Sequence, residues 1–444
     1  MFHPVHRVAH GKAATSAICA LLLSFAVSSG TAFAQSAPSE SLSLESALRL
    51  AQMRSSLLLA QDSAATASRQ MAVSAGQLPD PTLKLGINNL PVTSSDRFSL
   101  SRDFMTMRSV GVMQEFTRND KREARAARYE REAQVADAGR TLTVANLQRE
   151  TAMAWLERYY SERMREVLVQ QRDEAKLQIE AADTVYRTGK GSQADVFAAR
   201  SAVAQIEDRI AQADRQVLAA NTRLTRWIGE AAAQSLDRLP AMDKPGVELT
   251  QLDTVVAHHP QIAVLKRQED VAQADVVIAQ TNKRADWSAE LMFSQRGSAY
   301  SNMISINLSV PLQWDQRNRQ DRELAAKLAL VEQARAQTEE MTREHAADIR
   351  GMVIEWQSNR ERLARHDNSL IPLASERTRA ALAAYRGGAG SLTTVLEARR
   401  GEIDARMERL RLAMDTARLW AQLNYLNPEG HSDAPVAATV RSTP

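Results

Sequence analysis

Thiol chemistry is nearly absent from this chain: one cysteine in 444 residues, Cys19, lies inside an apolar N-terminal segment. A chain processed after that segment has no disulfide, no thiolate metal site and no cysteine nucleophile. Aromatics make up only 5%, and glycine (17) and proline (13) are sparse, so a thick globular core broken by many turns is not the expectation. Net charge is +3 and falls to +1 once Arg7 and Lys12 are removed with the N-terminal segment. No basic excess is left to hold nucleic acid by its phosphates. Past residue 34 no apolar run is long enough to cross a bilayer as a helix. No nucleophile, acid–base or metal-ligating cluster stands out, so no catalytic residue, cofactor or metal site is expected and the chain does not read as an enzyme.

What is present is Ala, Arg, Glu, Gln and Leu with 25% charged residues, the composition of long helices. Residues 1–34 read as a secretory signal peptide, with a transmembrane anchor as the alternative, for which the apolar run is short of ~18–20 residues. Arg7 and Lys12 form a basic start, "AICALLLSFAV" an apolar run, and Ala32-Phe33-Ala34 a small-x-small site with cleavage after Ala34. Ile18 before Cys19, with the apolar run following it, is the wrong order for lipidation.

The remainder is written twice. "YRTGKGSQADVFAAR" at Tyr186 and "YRGGAGSLTTVLEAR" at Tyr385 share Tyr, Arg, two glycines, Ser, Val, Ala and Arg. A repeat of this period usually reflects a duplicated architecture. The first unit, residues 35–229, has a helical stretch from Leu42 to Gly76 and a proline stop at "LPDP". A hairpin over 82–116 follows, with Leu83, Leu85, Ile87, Val110 and Val112 alternating. Asn119 to about Thr188 is a long helix, and Gln193 to Ile228 a shorter one ended by Gly229. Residues 230–250 form a linker. The second unit, 251–427, repeats the order: a helix over Asp253–Lys283, a hairpin over 287–312, a long helix from about Gln316 to Arg386, and a last helix ending near Asn427. Residues 428–444 read as a disordered tail. The offset between units falls from 206 at Gly76/Asn282 to 196 at Val110/Ile306, which places a longer hairpin loop in the first half.

Long helices of roughly 70 residues span ~105 Å, matched by two short ones end to end. Alternating segments suit a membrane β-barrel, apolar side out, or a soluble sheet capping the helices. In lipid, four strands are too few to close alone, so a barrel requires several copies. Phe116, Trp287 and Trp314 near strand ends fit an interfacial aromatic girdle.

The whole pattern, from Leu42 to Asn427, resembles the TolC-like outer-membrane efflux factors. The order of elements, the "LPDP"-led hairpin and the "Y-R-x-G-x-G-S" turn carry the likeness. The resemblance implies a homotrimer, a mainly α fold with a small membrane β part: a β-barrel of twelve strands in outer-membrane lipid continued by a tunnel of twelve helices in the periplasm. It implies a passive exit duct, with a periplasmic adaptor and an inner-membrane pump as partners. "LPDPTLKLGINNLP" and "VGVMQEFTRNDKR" look nearest the heavy-metal branch served by resistance–nodulation–division pumps, so heavy-metal cations are the expected cargo, with drugs or other small molecules as the alternative. A periplasmic coiled-coil adaptor or scaffold is the competing class, although adaptors carry more β structure than two hairpins.

Site residues cluster at the turns. Gly189, Gly191, Gly388 and Gly390 can take positive φ and reverse the chain, and Ser192 and Ser391 can N-cap the outgoing helices. In the resembling family these turns form the periplasmic tip that meets the adaptor. Lys190 and Ala389 replace the apolar residue common there. Asp195 and Glu397 could form carboxylate rings favouring cations if they face inward, or be solvated or N-terminal acids. Asp195, Tyr385 and Glu397 are the gate candidates. Thr394 stands where the family has a second acid, and Gly390 where Tyr385 would find an arginine. His258, His259, His345 and His366 show no i,i+4 pairing and read as surface or packing residues. Met105, Met107 and Met113 could suit a soft cation, but read first as apolar fillers.

Overall fold

The computed structural model describes residues 41–428; the expected signal peptide (residues 1–34) and nearly all of the expected tail lie outside them. In the first unit α1 (Leu44–Arg54) and α2 (Ser56–Ala75) lead into β1 (Thr82–Asn88) and β2 (Met107–Phe116), then α3 (Asn119–Arg187) and α4 (Gln193–Ile228). The second unit has α5 (Leu252–Ala257), α6 (Pro260–Thr281), β3 (Trp287–Gln295), β4 (Met303–Ser309), α7 (Gln320–Arg365), α8 (Ile371–Arg386) and α9 (Leu392–Asn424). With 69 residues, α3 is a rod of about 104 Å. It packs against α2, α4, α6 and α9 and is the spine of the molecule.

Several expected boundaries shift. The 42–76 stretch is two helices, because Ser55 is extended (φ −74°, ψ 106°). The 253–283 stretch breaks at His258-His259, where Pro260 disfavours helical geometry in the preceding residue and opens α6. The second long helix starts at Gln320, not Gln316, and carries a π-helical turn over His366–Leu370 just ahead of Pro372. A proline ring and missing N–H cannot be fitted into an unbroken α-helical ladder, and the wider turn absorbs the mismatch. The last helix ends at Asn424; Tyr425 and Leu426 turn back into the core.

That core lies midway along the rod. Trp155 is fully buried and donates Nε1–H to the Leu42 carbonyl (3.0 Å), while Trp420 donates to the Lys244 carbonyl (3.1 Å). The 230–250 linker is therefore a strap: Leu42 N–H reaches the Ser235 carbonyl (2.7 Å) and Asp237 N–H the Leu42 carbonyl (3.1 Å). Buried Arg158 holds it by donating to the carbonyls of Ala232 and Gln234. Elsewhere along the rod alanines such as Ala65, Ala72, Ala124 and Ala133 fill the helix contacts.

The two hairpins join. β2 and β3 pair antiparallel, giving one sheet in the order β1-β2-β3-β4. The β1–β2 loop covers residues 89–106 and the β3–β4 loop 296–302, so the longer loop is in the first unit, as the repeat offset requires. Among the described residues no helix is long and apolar enough to cross a membrane.

Candidate functional site

The sheet sorts its side chains by register. Leu83, Val112, Leu291 and Ile306 face one another across all four strands, and so do Leu85, Val110, Phe293 and Ile304. Paired residues share a face, so these form a continuous apolar band. It is open to the surroundings, with Leu85 74% and Ile306 72% exposed. Lys84, Ser109, Gly111, Glu290, Ser305 and Asn307 share the other face. Lys84 reaches across β2 to Glu290 on β3 (2.5 Å), past Gly111, where a Cβ would strike the Leu291 carbonyl oxygen of β3 at 2.8 Å. Met107 and Met113 lie on this same polar face, whereas Met105 is in the exposed loop.

Where the sheet meets the helices, the apolar row ends in Phe116 stacked on Trp287 (4.2 Å between ring centroids). Beyond them lies a belt of charges linking the two units. Lys121 pairs with Asp286 (2.6 Å), and Asp275 with both Arg128 (2.6 Å) and Lys327 (2.9 Å). Burial raises the Asp275 carboxyl, but Lys327 and Arg128 overcome it and hold the group below the usual carboxylate range.

At the far end of the rod the two repeated turns come together. Ala182, Val196, Ala199, Leu392 and Val395 form a small buried cluster, with Tyr385 packed against it. Gly189 (φ 73°) and Gly388 (φ 76°) take the left-handed backbone as expected. Gly191 and Gly390 do not. They are needed for close approach: a Cβ on Gly191 would sit 3.0 Å from Val185 Cγ1, and one on Gly390 3.2 Å from both Ala384 Cβ and the Tyr385 nitrogen.

Ser192 and Ser391 cap α4 and α9. Asp195 N–H donates to Ser192 Oγ (3.1 Å) and Ser192 N–H to Asp195 Oδ2 (3.1 Å), a reciprocal capping box. Thr394 N–H donates to Ser391 Oγ (3.2 Å), with no acid to answer. The Asp195 carboxylate is thus engaged as an N-terminal acid. It also faces the second unit: burial first, and then the Asp195 charge, push the Tyr385 hydroxyl above its ordinary pKa. Glu397 is exposed and, among the described residues, makes no ion pair. It lines a groove of about 290 Å³ between α4 and α9 with Ala198, Ala202, Ile206, Leu396 and Arg400.

Two arrangements escape a residue-by-residue reading of the sequence. Arg399 is almost buried and ties α9 to α3 through Glu174 and Gln171. The rings of His259, at the start of α6, and His345 of α7 lie 4.4 Å apart between centroids, tilted by 33°. His259 Nδ1 accepts from the Gln261 N–H (3.2 Å), capping α6. Burial, then His345 and Arg149, lower its pKa to about 4. His366 is buried within the π turn. Among the described residues no three His, Cys, Asp or Glu side chains are grouped to hold a metal ion.

Neither a family model nor a curated protein matches the sequence. Solved structures do match. The outer-membrane channel OprN superposes with a TM-score of 0.73 at 15% identity, covering 86% of this chain and 89% of that one. The outer membrane protein VceC of Vibrio cholerae gives 0.69 at 16%, covering 86% and 95%. CusC, solved in structures concerned with folding and transmembrane channel formation, gives 0.67 at 15%, covering 86% and 92%. The TolC-like monomer fold expected from the duplicated sequence is the fold this chain has, the one it shares with these outer-membrane channel proteins.

Proposed function

We propose that the chain is the passive outer-membrane exit duct of a tripartite efflux system, working as a homotrimer. One observation carries this: a sheet with a continuous, exposed apolar band across one face, joined to a rod of about 104 Å. A soluble cap would turn that face onto a core. Lipid is the environment that suits it, and lipid tolerates strands only where a barrel closes. β1 and β4 leave two free edges among the described residues, which neighbouring copies would pair.

The rod then spans periplasm, and the paired turns at Gly189–Ser192 and Gly388–Ser391 are the contact for a periplasmic adaptor and, through it, an inner-membrane pump of the resistance–nodulation–division type. Asp195, Tyr385 and Glu397 lie at the narrow end and act as its gate, with Glu397 the free carboxylate of the three. Energy comes from the pump; this chain supplies a path and performs no chemistry. Heavy-metal cations are the proposed cargo, on the strength of the two segments that resemble the metal branch.

The test is gel mobility of the outer-membrane fraction, unheated against boiled. A heat-sensitive band near three times the processed mass is the expected result. Recovery as a soluble periplasmic monomer would reject the duct and favour a scaffold.

A further inference from the structure

The two ends of the apolar band differ. At the helix end it closes on the Phe116–Trp287 stack. At the loop end it closes on an arginine. Arg108 pairs in register with Ile87 and Gln295, on the same face as Val110 and Val112, and is exposed. Its cross-strand and same-face neighbours include no acid.

The loop beyond is built rather than loose. Phe98 N–H reaches the Pro91 carbonyl (2.8 Å), Thr106 Oγ1 donates to the Asn89 carbonyl (3.1 Å), and Arg296 donates to the Phe104 carbonyl (2.9 Å). Asn89, Ser94 and Phe98 are held at positive φ, a conformation costly for Phe. Yet this ordered loop leaves Val92, Phe98 and Phe104 more than half exposed. Residues 89–108 and 296–302 carry four arginines and two aspartates, a net charge of +2. Arg102 is committed to Asp96, Arg296 to Phe104, and Asp103 to the N–H groups of Met105 and Thr106. Arg97, stacked over Phe98 (4.8 Å), and Arg108 make no ion pair among the described residues.

We infer that this end of the sheet is a contact site for the phosphate-bearing headgroups of outer-leaflet lipid, with Arg108 as the principal ligand and Arg97 assisting. The inference rests on the duct reading, since it needs the apolar band in a bilayer. The spacing fits. Arg108 to Phe116 spans about 26 Å along the strand, or ~20 Å in height at barrel tilt, close to the ~25 Å apolar band of outer-membrane barrels. Acyl chains would lie against Leu85, Val110 and Phe293 while the guanidinium meets the phosphate at its rim. Guanidinium matches phosphate in a bidentate fashion, and at the membrane boundary it is less screened than in bulk water. Among the described residues the band itself carries no cation at its aromatic end; Arg317 and Arg319, exposed and without an ion pair there, lie past β4 toward the helices rather than in the band.

The experiment uses the processed full-length chain, purified in detergent and scored for retained lipid by native mass spectrometry. The probes are a diphosphorylated lipid A, the same lipid with its phosphates removed, and inorganic phosphate. Retention of the phosphorylated lipid is expected, about tenfold weaker in Arg108→Gln and less affected in Arg97→Gln. The dephosphorylated lipid should be held no better by the native chain than by Arg108→Gln, and inorganic phosphate should not displace the lipid. Equal retention of the two lipids would overturn the proposal, as would displacement by millimolar phosphate, which would mark a soluble-anion site. A chain that takes up neither lipid and does not insert into vesicles refutes the duct reading itself, an outcome distinct from loss of phosphate preference alone.

Discussion

The two repeated turns are nearly the same phrase in different surroundings. Val196 and Val395 are buried alike, as are Ala199 and Ala398. Tyr186, Phe197 and Arg200 are exposed in the first turn, whereas Tyr385, Leu396 and Arg399 are partly covered in the second. The first turn has a complete capping box and the second has Thr394 where the acid would be. Shared residues set the reversal of the chain. Unshared ones set which hairpin is strapped to its neighbours. The second turn, lacking the acid of a capping box, is held through Arg399 to Glu174 and Gln171 of α3.

Acid should separate the units most. The first breaks its short helices at Ser55, which does not titrate; the second breaks at His259. A folded pKa of about 4 lies below the ordinary 6.5 of histidine. The neutral ring's contribution is therefore complete above pH ~6.5 and is lost progressively as pH falls toward 4, by about 3 kcal/mol in all. Hydrogen exchange at pH 7 and pH 5 should show α5 and α6 loosening while α1 and α2 hold. His259→Asn keeps an N-cap without a titrating ring and should abolish the difference.

Next in size is the repeated arginine. Arg399→Ala should loosen the α8–α9 hairpin by about 1.5–3 kcal/mol, the range for hydrogen bonds to charged groups. Arg200→Ala, at an exposed position with no ion pair among the described residues, should change stability by less than about 0.5 kcal/mol. Protection of the two hairpins in exchange experiments reads both; equal losses would mean the turns are interchangeable after all.

Smallest is the effect on conduction. Glu397→Ala should lower cation preference in planar bilayers, measured as a shift in reversal potential. Asp195→Asn should shift it less, because that carboxylate already serves the α4 N-terminus. The same variant should bring the Tyr385 hydroxyl down toward its ordinary pKa, visible in ultraviolet titration. Unchanged selectivity in Glu397→Ala would remove it from the proposed gate.

Much of the fold could be read locally. Alternation at Leu83, Leu85, Ile87 and at Ile304, Ile306, Leu308 marks strands because side chains switch faces every residue. The proline-free stretch from Asn119 marks a helix, and Ser192 and Ser391 announce their caps. The break at Ser55 was not legible, since one serine costs a helix no more than most ordinary residues do and does not by itself mark an end. Gly191 and Gly390 were misassigned because positive φ and close approach both demand glycine, and only the built turn separates the two. The His259–His345 contact joins the start of α6 to α7, residues remote in sequence, which no spacing rule within one helix can reveal.

By itself, then, the sequence determined the order and kind of elements, the duplication, and the points where the chain reverses. The elements and the reversals depend on residues within a few positions of one another, through side-chain periodicity and backbone sterics, and the duplication shows because the same phrase recurs 199 residues on. Tertiary structure alone decided that β2 pairs with β3 to make one sheet, and that Arg399 but not Arg200 is covered and tied to a neighbouring helix. Those outcomes depend on which distant segment arrives beside each residue, and the energy of burial, pairing and register is a property of the neighbour as much as of the residue itself.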